Sequence, residues 1–356
     1  MRDTLAATLR GAPFVESPDL LAAAEYHGTG PLILSLTGAG GLKAQARARS
    51  MWELRHLHVV ARLLAAFDAG GVQAVVIKGT ALAYDLYDDA ALRPRGDTDI
   101  LIPPDHLPQA RAVLAAQGFR LTYEEEVPDG YTQEAWTFTP PEGGHSHDID
   151  LHWQAFNGAS LAGLIPVDEA MAEAVPLPRL APVARALSRP HGLLHSCVHR
   201  AQHILSPYFV GGEAHYGGDR LIWLCDIDRL ARALTAAEWQ SFATRAAARG
   251  IGPVCAGALH EAARLLDTPL PEGPMARLAA APPGPVARYL GSHDRRSRAL
   301  ADLRASGARG RSRLAYLRGR LFPPAAAMRS QYPRSRLPLA VLYLRRLLRF
   351  ARGAGL

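Results

Sequence analysis

The stretch 78-KGTALAYDLYDDAALRPRGDTDILI-102 decides how this sequence folds. Asp97 and Asp99 stand one residue apart in a run that reads as a strand, and a Lys-Gly-Thr turn lies upstream. Strand residues i and i+2 point to the same face, with Cα atoms about 6.5–7 Å apart. Two carboxylates so placed raise each other's pKa unless a cation lies between them. A divalent metal resolves that conflict, because hard oxygen ligands suit Mg²⁺, which keeps room for substrate phosphate oxygens. A third carboxylate on a neighbouring strand would allow two ions about 3.5–4 Å apart, a pair able to activate an attacking hydroxyl and stabilise a leaving pyrophosphate.

Working outward, 48–68 carries apolar residues at helical period and stops at Gly70-Gly71, and 72-VQAVVIK-78 reads as a buried strand. Gly79 turns the chain into a short helix over 80–87, then a polar loop with Pro94 and Gly96 leads to the strand 97–102. Pro103-Pro104 stop that strand, Asp105 is placed to cap a helix over 106–117, and Gly118 ends it. Segments 119–125 and 134–140 read as antiparallel strands. In 146-SHDIDLHW-153, Asp148, Asp150 and His152 share one face and Ile149, Leu151 and Trp153 the other. Beyond about residue 160 strand signals fade. Helices are expected at 190–205, 219–234, 236–249 and 252–266, the third opened by the capping box Thr235-x-x-Glu238 and the first followed by a glycine-rich loop over 206–218.

The turn supplies what a phosphate needs. Gly79-Thr80 opens a helix directly after a strand, so free N–H groups and the helix dipole favour an anion. Glycine allows close backbone approach, Thr80 adds a hydroxyl, and Lys78, Arg93 and Arg95 are nearby cations. Lys78 is one of two lysines against 38 arginines, so its presence here asks for a reason.

Together these motifs resemble the nucleotidyltransferase superfamily that includes DNA polymerase beta and the aminoglycoside nucleotidyltransferases. More narrowly, K-G-T-A-L-A, R-x-x-G-D-T-D-I-L, D-L-H-W and the later L-L-H-x-x-x-H resemble a bacterial family of uncharacterised nucleotidyltransferases, over about residues 30–270. The resemblance implies an α/β nucleotidyltransferase core, a small mixed sheet with flanking helices, plus a mostly α-helical C-terminal domain. It implies Asp97 and Asp99 as metal ligands, Asp150 (with Asp148 as the alternative) as the third carboxylate, and Gly79-Thr80 as the triphosphate grip. Thr80 stands where the wider superfamily has serine, which keeps the hydroxyl. Lys78, Arg95 and His199 complete the expected nucleotide contacts. The implied reaction is Mg²⁺- or Mn²⁺-dependent transfer of an NMP from an NTP, with ATP as the default, to a hydroxyl of a small-molecule or peptide acceptor. Asp150 would accept the hydroxyl proton. Relatives found beside natural-product or polysaccharide genes imply a tailoring role. The rivals are modification of a protein or tRNA, and a catalytically silent nucleotide-binding module.

The expected organisation is an N-terminal helical segment (1–54), the core (55–160), a helical domain (161–284) and a basic helical tail (285–356). His191, His195, His199 and His203 recur every four residues and line one helical stripe. Neither a cysteine nor an acid within that helix completes a zinc set, and Asp226 and Asp228 are expected to partner the histidines or face solvent. The net charge of +7 is uneven: Arg288–Arg352 holds 17 arginines and two acids. Three readings of the tail stay open: solvated faces packed on an acidic body, an RNA or peptide docking surface, or peripheral membrane contact by 337–356. No apolar run reaches the ~20 residues of a membrane span. The N-terminus does not read as a signal peptide. The three scattered cysteines fit a reducing cytoplasm.

Overall fold

The computed structural model describes residues 1–122, 132–141, 143–205, 208–210, 213–215, 218–308, 318–319, 321–323, 325–330, 332 and 335–351. Three helices, α1 (Arg2–Leu9), α2 (Pro18–Tyr26) and α3 (Gly30–Thr37), lead into the long α4 (Lys43–Ala69). Strand β1 (Val75–Ile77), helix α5 (Lys78–Leu86) and strand β2 (Asp97–Leu101) follow. Then come α6 (Leu107–Ala116), β3 (Arg120–Leu121), β4 (Gln133–Phe138) and β5 (His147–His152). The chain continues with α7 (Val167–Ala172), β6 (Val175–Pro176), β7 (Arg185–Ala186) and α8 (Arg189–Leu205). Next are α9 (Leu221–Ala233), α10 (Ala236–Ala248) and α11 (Gly252–Leu266).

Seven strands form one mixed sheet in the order β3-β4-β5-β2-β1-β7-β6. β2 is antiparallel to β1 and parallel to β5, with Asp97 opposite Asp148, Asp99 opposite Asp150 and Leu101 opposite His152. Val76, Ile100, Ile102, Ile149 and Leu151 face one core, against Val60, Leu63, Leu64 and Phe67 of α4 and Ala110 and Leu114 of α6. Val75, Ile77 and Leu101 face a second core built from α8, α9 and α11. β1 is therefore covered on both faces, which is why it reads as an unbroken valine–isoleucine run. Asp97 and Asp99 share Leu101's parity, so they end the strand on the side facing the helical body.

The N-terminal helices do not stand apart. Leu5, Ala24, Leu32 and Ile33 pack into the same core as α8–α11, and Arg2 pairs with Asp219 and Glu261. α4 runs unbroken across residues 54–55, because 43-KAQARARS-50 is rich in good helix formers although it lacks an apolar stripe. Asp105 caps nothing: a 3₁₀ turn over Pro104–His106 precedes α6, which starts with no side-chain cap. The strands β6 and β7 extend the sheet beyond β1, where no strand is expected. At two residues each they have no alternation to read. The capping box at Thr235 is present in both its bonds. The expected strand 119–125 is described only to Thr122; within the expected loop 206–218, Tyr208–Val210 and Glu213–His215 pair as antiparallel strands, and 206–207, 211–212 and 216–217 lie outside the described residues.

Behind the sheet a buried polar network ties α4 to α5 and β2. Arg95 donates to Glu53 (2.6 Å) and to Thr80 Oγ1 (2.8 Å), and Tyr84 donates to Glu53 (2.6 Å). Thr80 and Thr98 share a hydroxyl contact of 2.8 Å, and His56 reaches Thr98 at 2.6 Å. Replacing Glu53 with Ala strands the buried Arg95 guanidinium. Urea unfolding should show a loss of about 3–5 kcal/mol, with the double replacement E53M/R95M recovering much of it.

Candidate active site

The site is built where β1 ends. Lys78 adopts a left-handed backbone (φ +54°), uncommon for a residue with a Cβ, and so turns strand directly into helix. Such a conformation persists only where its surroundings hold it. Here the Lys78 ammonium donates to Asp99 Oδ1 and lies 3.4 Å from His152 Nε2. Gly79 comes next because a side chain has no room: a Cβ would stand 2.5 Å from Arg93 Nη1. Arg93 is clamped by Asp226 of α9 (Nε 3.3 Å, Nη2 2.7 Å), which also accepts from Tyr87 (2.7 Å). Asp226 thus partners an arginine and a tyrosine rather than a histidine. Asp228 likewise pairs with Arg232 and Thr268.

The in-register pairing of β2 and β5 brings Asp97, Asp99, Asp150 and His152 onto the face that Lys78 crosses. His152 Nε2 donates to Asp99 Oδ1 at 2.9 Å, which leaves its buried Nδ1 without a hydrogen-bond partner among the described residues. Asp150 accepts from Gln133 (3.1 Å), whose carbonyl is held in turn by Asn157. Asp148 accepts from Thr137 at 2.7 Å, one step further along the strand. One ligand atom each from Asp99, Asp150 and His152 lies within 4.8 Å of the others.

The electrostatics follow from crowding. Burial opposes ionisation of Asp99, yet Lys78 and His152 hold its carboxyl below the ordinary range. Asp97 is reached by solvent at the mouth, but protein packed around it and the Asp99 charge push its pKa up to about 6. Burial, then Asp97 and Asp99, raise Asp150 well above the usual carboxylate value. Burial alone would lower Lys78; Asp99, Asp150 and Asp97 outweigh it and raise it. Burial and then Lys78 drop His152 to about 4, so at neutral pH it is an uncharged imidazole.

Three carboxylates therefore share one ammonium, and the excess negative charge is relieved by proton uptake. That oxygen-rich set, with His152 beside it, fits a divalent cation, which would supply the missing charge. Asp99, Asp150 and His152 bring their ligand atoms close enough to hold it.

The remaining expected residues divide. Thr80 is buried, its hydroxyl donating to Asp97 O (3.3 Å) and accepting from Arg95. Arg95 is buried with Glu53. Both face the interior behind the turn. His199 lines a cavity with Lys78, Gly79, Arg93, His195, Trp223 and Asp226. A second cavity, which shares Lys78, Leu82, His195 and Ser196 with the first, is also lined by Asp85 and Arg189. Both cavities lie between α5 and α8, while the acidic face opens at the strand ends. His195 Nε2 donates to Ala155 O (3.0 Å), and the ring stacks on Phe156. Burial, with Lys78 next, lowers its pKa to about 3. His191 lies away from the acids, against Glu169 (2.9 Å) and Glu173. Those glutamates come from α7, and Arg245 and Arg249 already neutralise them. Gln133, Asn157 and Asp226 stand in no motif, whereas His152 lies in D-L-H-W and Arg93 opens R-x-x-G-D-T-D-I-L.

The model of the uncharacterised nucleotidyltransferases matches residues 16–267. The chain belongs to that family. The match spans the sheet, the acidic face and the helices α8–α11 up to Asp267. The family supports nucleotidyl transfer as the general activity. No curated protein matches the chain. Among solved structures, the crystal structure of JHP933 from Helicobacter pylori aligns at 11% identity with a TM-score of 0.32, covering 72% of this chain and 96% of that one.

The charge imbalance has a measurable sign. Asp97 and Asp150 have raised pKa values, so they cost stability as pH rises through the ordinary carboxylate range toward the folded value, about 6 for Asp97. Asp99 has a lowered pKa, so its contribution is present at neutral pH and lost only in acid. A divalent cation should therefore raise Tm by several degrees, on the order of 1–2 kcal/mol, at pH 7.5 and much less at pH 5. Differential scanning fluorimetry with Mg²⁺ and Mn²⁺ reads this directly. Equal shifts at both pH values would rule out competition between protons and metal at these carboxylates.

Proposed function

We propose that this chain is a divalent-metal-dependent nucleotidyltransferase with a polymerase beta-like core. It would move an NMP, taken as AMP from ATP, to a hydroxyl of a small-molecule or peptide acceptor, as a tailoring step in the cytoplasm. The observation that carries the reading is the parallel register of β2 and β5, which sets Asp97, Asp99 and Asp150 on one face beside the Lys78-Gly79 helix start.

Asp97, Asp99 and Asp150 would hold Mg²⁺ or Mn²⁺, with His152 orienting Asp99 by its 2.9 Å hydrogen bond. The bound ion supplies charge neutralisation at the triphosphate. Asp150 is the third carboxylate in preference to Asp148, because it stands opposite Asp99 while Asp148 is drawn toward Thr137. The free N–H groups that open α5, with the Lys78 ammonium, face the phosphates. Thr80 and Arg95 support this turn from behind rather than touching the nucleotide. The small cavity containing His199, Arg93 and Trp223 adjoins Gly79.

In the reaction the acceptor oxygen forms a bond to the α-phosphorus, and the bond from that phosphorus to the bridging oxygen breaks. Pyrophosphate leaves, and Asp150 takes the hydroxyl proton.

Incubation with α-³²P-labelled ATP, Mg²⁺ and cell extract, followed by separation of small molecules, protein and RNA, tests the reading. D97N, D99N and D150N should each lower labelling by about 10³-fold or more, and D148N by less than about tenfold. Labelling that survives D97N and D99N removes these residues from the chemistry. Label entering protein or RNA instead of the small-molecule fraction reassigns the acceptor.

A further inference from the structure

The transfer site leaves the far end of the chain unexplained. The helix Leu339–Ala351 has two unlike faces. Inward, Leu342 and Arg346 are buried, and Tyr343 donates to Pro323 O at 2.6 Å. Met328 of the helix Ala325–Ser330 is also buried, and Arg329 donates to Leu337 O at 2.7 Å. The helix is thus fixed to its neighbour on one side.

The opposite side is apolar and open. Leu337, two residues before the helix starts, and Val341, Leu344 and Leu348 within it expose 36, 38, 56 and 45% of their surfaces. Their spacing of four, three and four residues makes a single stripe. Exposed Arg345 flanks it. The surrounding segment Arg288–Arg352 has 17 arginines and two acids, and both acids are engaged: Asp302 with Ser160 and Tyr289, Asp294 with Ser297. No described helix is long and apolar enough to cross a membrane, so this helix is suited to lie on one.

We propose that the outer face of Leu339–Ala351 is an interfacial anchor for an anionic lipid bilayer. The aliphatic stripe enters the boundary between headgroups and acyl chains, and the arginines meet the lipid phosphates. Charge and chemistry select this occupant. A second copy would bring two strongly basic segments together, which repel. A single-stranded nucleic acid would satisfy the arginines but stacks on aromatic rings, and the exposed stripe is leucine and valine. An anionic bilayer satisfies both the charge and the apolar stripe. The anchor would hold the transfer site near a membrane surface while leaving the site itself untouched.

Co-sedimentation of the full chain with vesicles tests this, comparing phosphatidylcholine alone with vesicles carrying about 30% phosphatidylserine. Binding to the anionic vesicles should be at least about tenfold tighter, and should weaken about tenfold or more in L344E/L348E. D97N should bind vesicles as the unaltered chain does, which separates this proposal from the transfer mechanism. Circular dichroism and Tm of L344E/L348E show whether the variant is folded; if it is not, R345E gives the second reading, with a loss confined to anionic vesicles. Equal binding to both vesicle types, or none, overturns the anchor. So does a dimer in sedimentation equilibrium that L344E/L348E abolishes, or salt-sensitive retention on poly(U) without vesicle binding.

Discussion

Three carboxylates around one ammonium are the constraint on which this structure turns. Asp97, Asp99 and Asp150 project from adjacent parallel strands, and Lys78 satisfies only Asp99 outright. The other two take up protons at pH values where an exposed aspartate would be ionised. A fold selected for stability alone would not gather them. Their gathering is useful when a substrate brings a cation and negatively charged phosphates that would otherwise repel the protein.

Holding such a cluster requires support on both sides. Behind it, Glu53, Tyr84, Arg95, Thr80, Thr98 and His56 form a buried network that fixes α4, α5 and β2 in one arrangement. In front, the Arg93–Asp226 pair joins the β1–α5 turn to α9. The left-handed Lys78 and the missing side chain at Gly79 let those supports meet at one turn. The sheet and the helical body are therefore not independent: the acidic face lies on the side of the sheet that α8 and α9 cover, and the helical body supplies one wall. The N-terminal helices, sharing that core, belong to the same structural unit.

The basic tail meets this body through Asp302. Asp302 accepts from Ser160 N (3.0 Å) and from Tyr289 (3.0 Å), close in sequence to Asn157, which holds Gln133 beside Asp150.

By itself the sequence determined the local grammar. Valine runs marked β1, alternation in 147–152 put Asp148, Asp150 and His152 on one face, and Thr235 with Glu238 opened α10. These signals depend on periods of two and 3.6 residues or on a single turn, so they survive without tertiary knowledge. Where the pattern was too short or had no apolar stripe it was silent, as for β6, β7 and the first turns of α4. Only the tertiary structure decided which acid meets which. The register of β2 on β5 aligned Asp99 with Asp150 and His152 with Leu101, which lets the His152 side chain reach Asp99, and packing turned Thr80 and Arg95 inward to Glu53. It also matched Arg93 to Asp226 across 133 residues of chain. Such pairings follow from how separate elements dock, and docking is set by the summed packing of whole faces, which no short motif encodes.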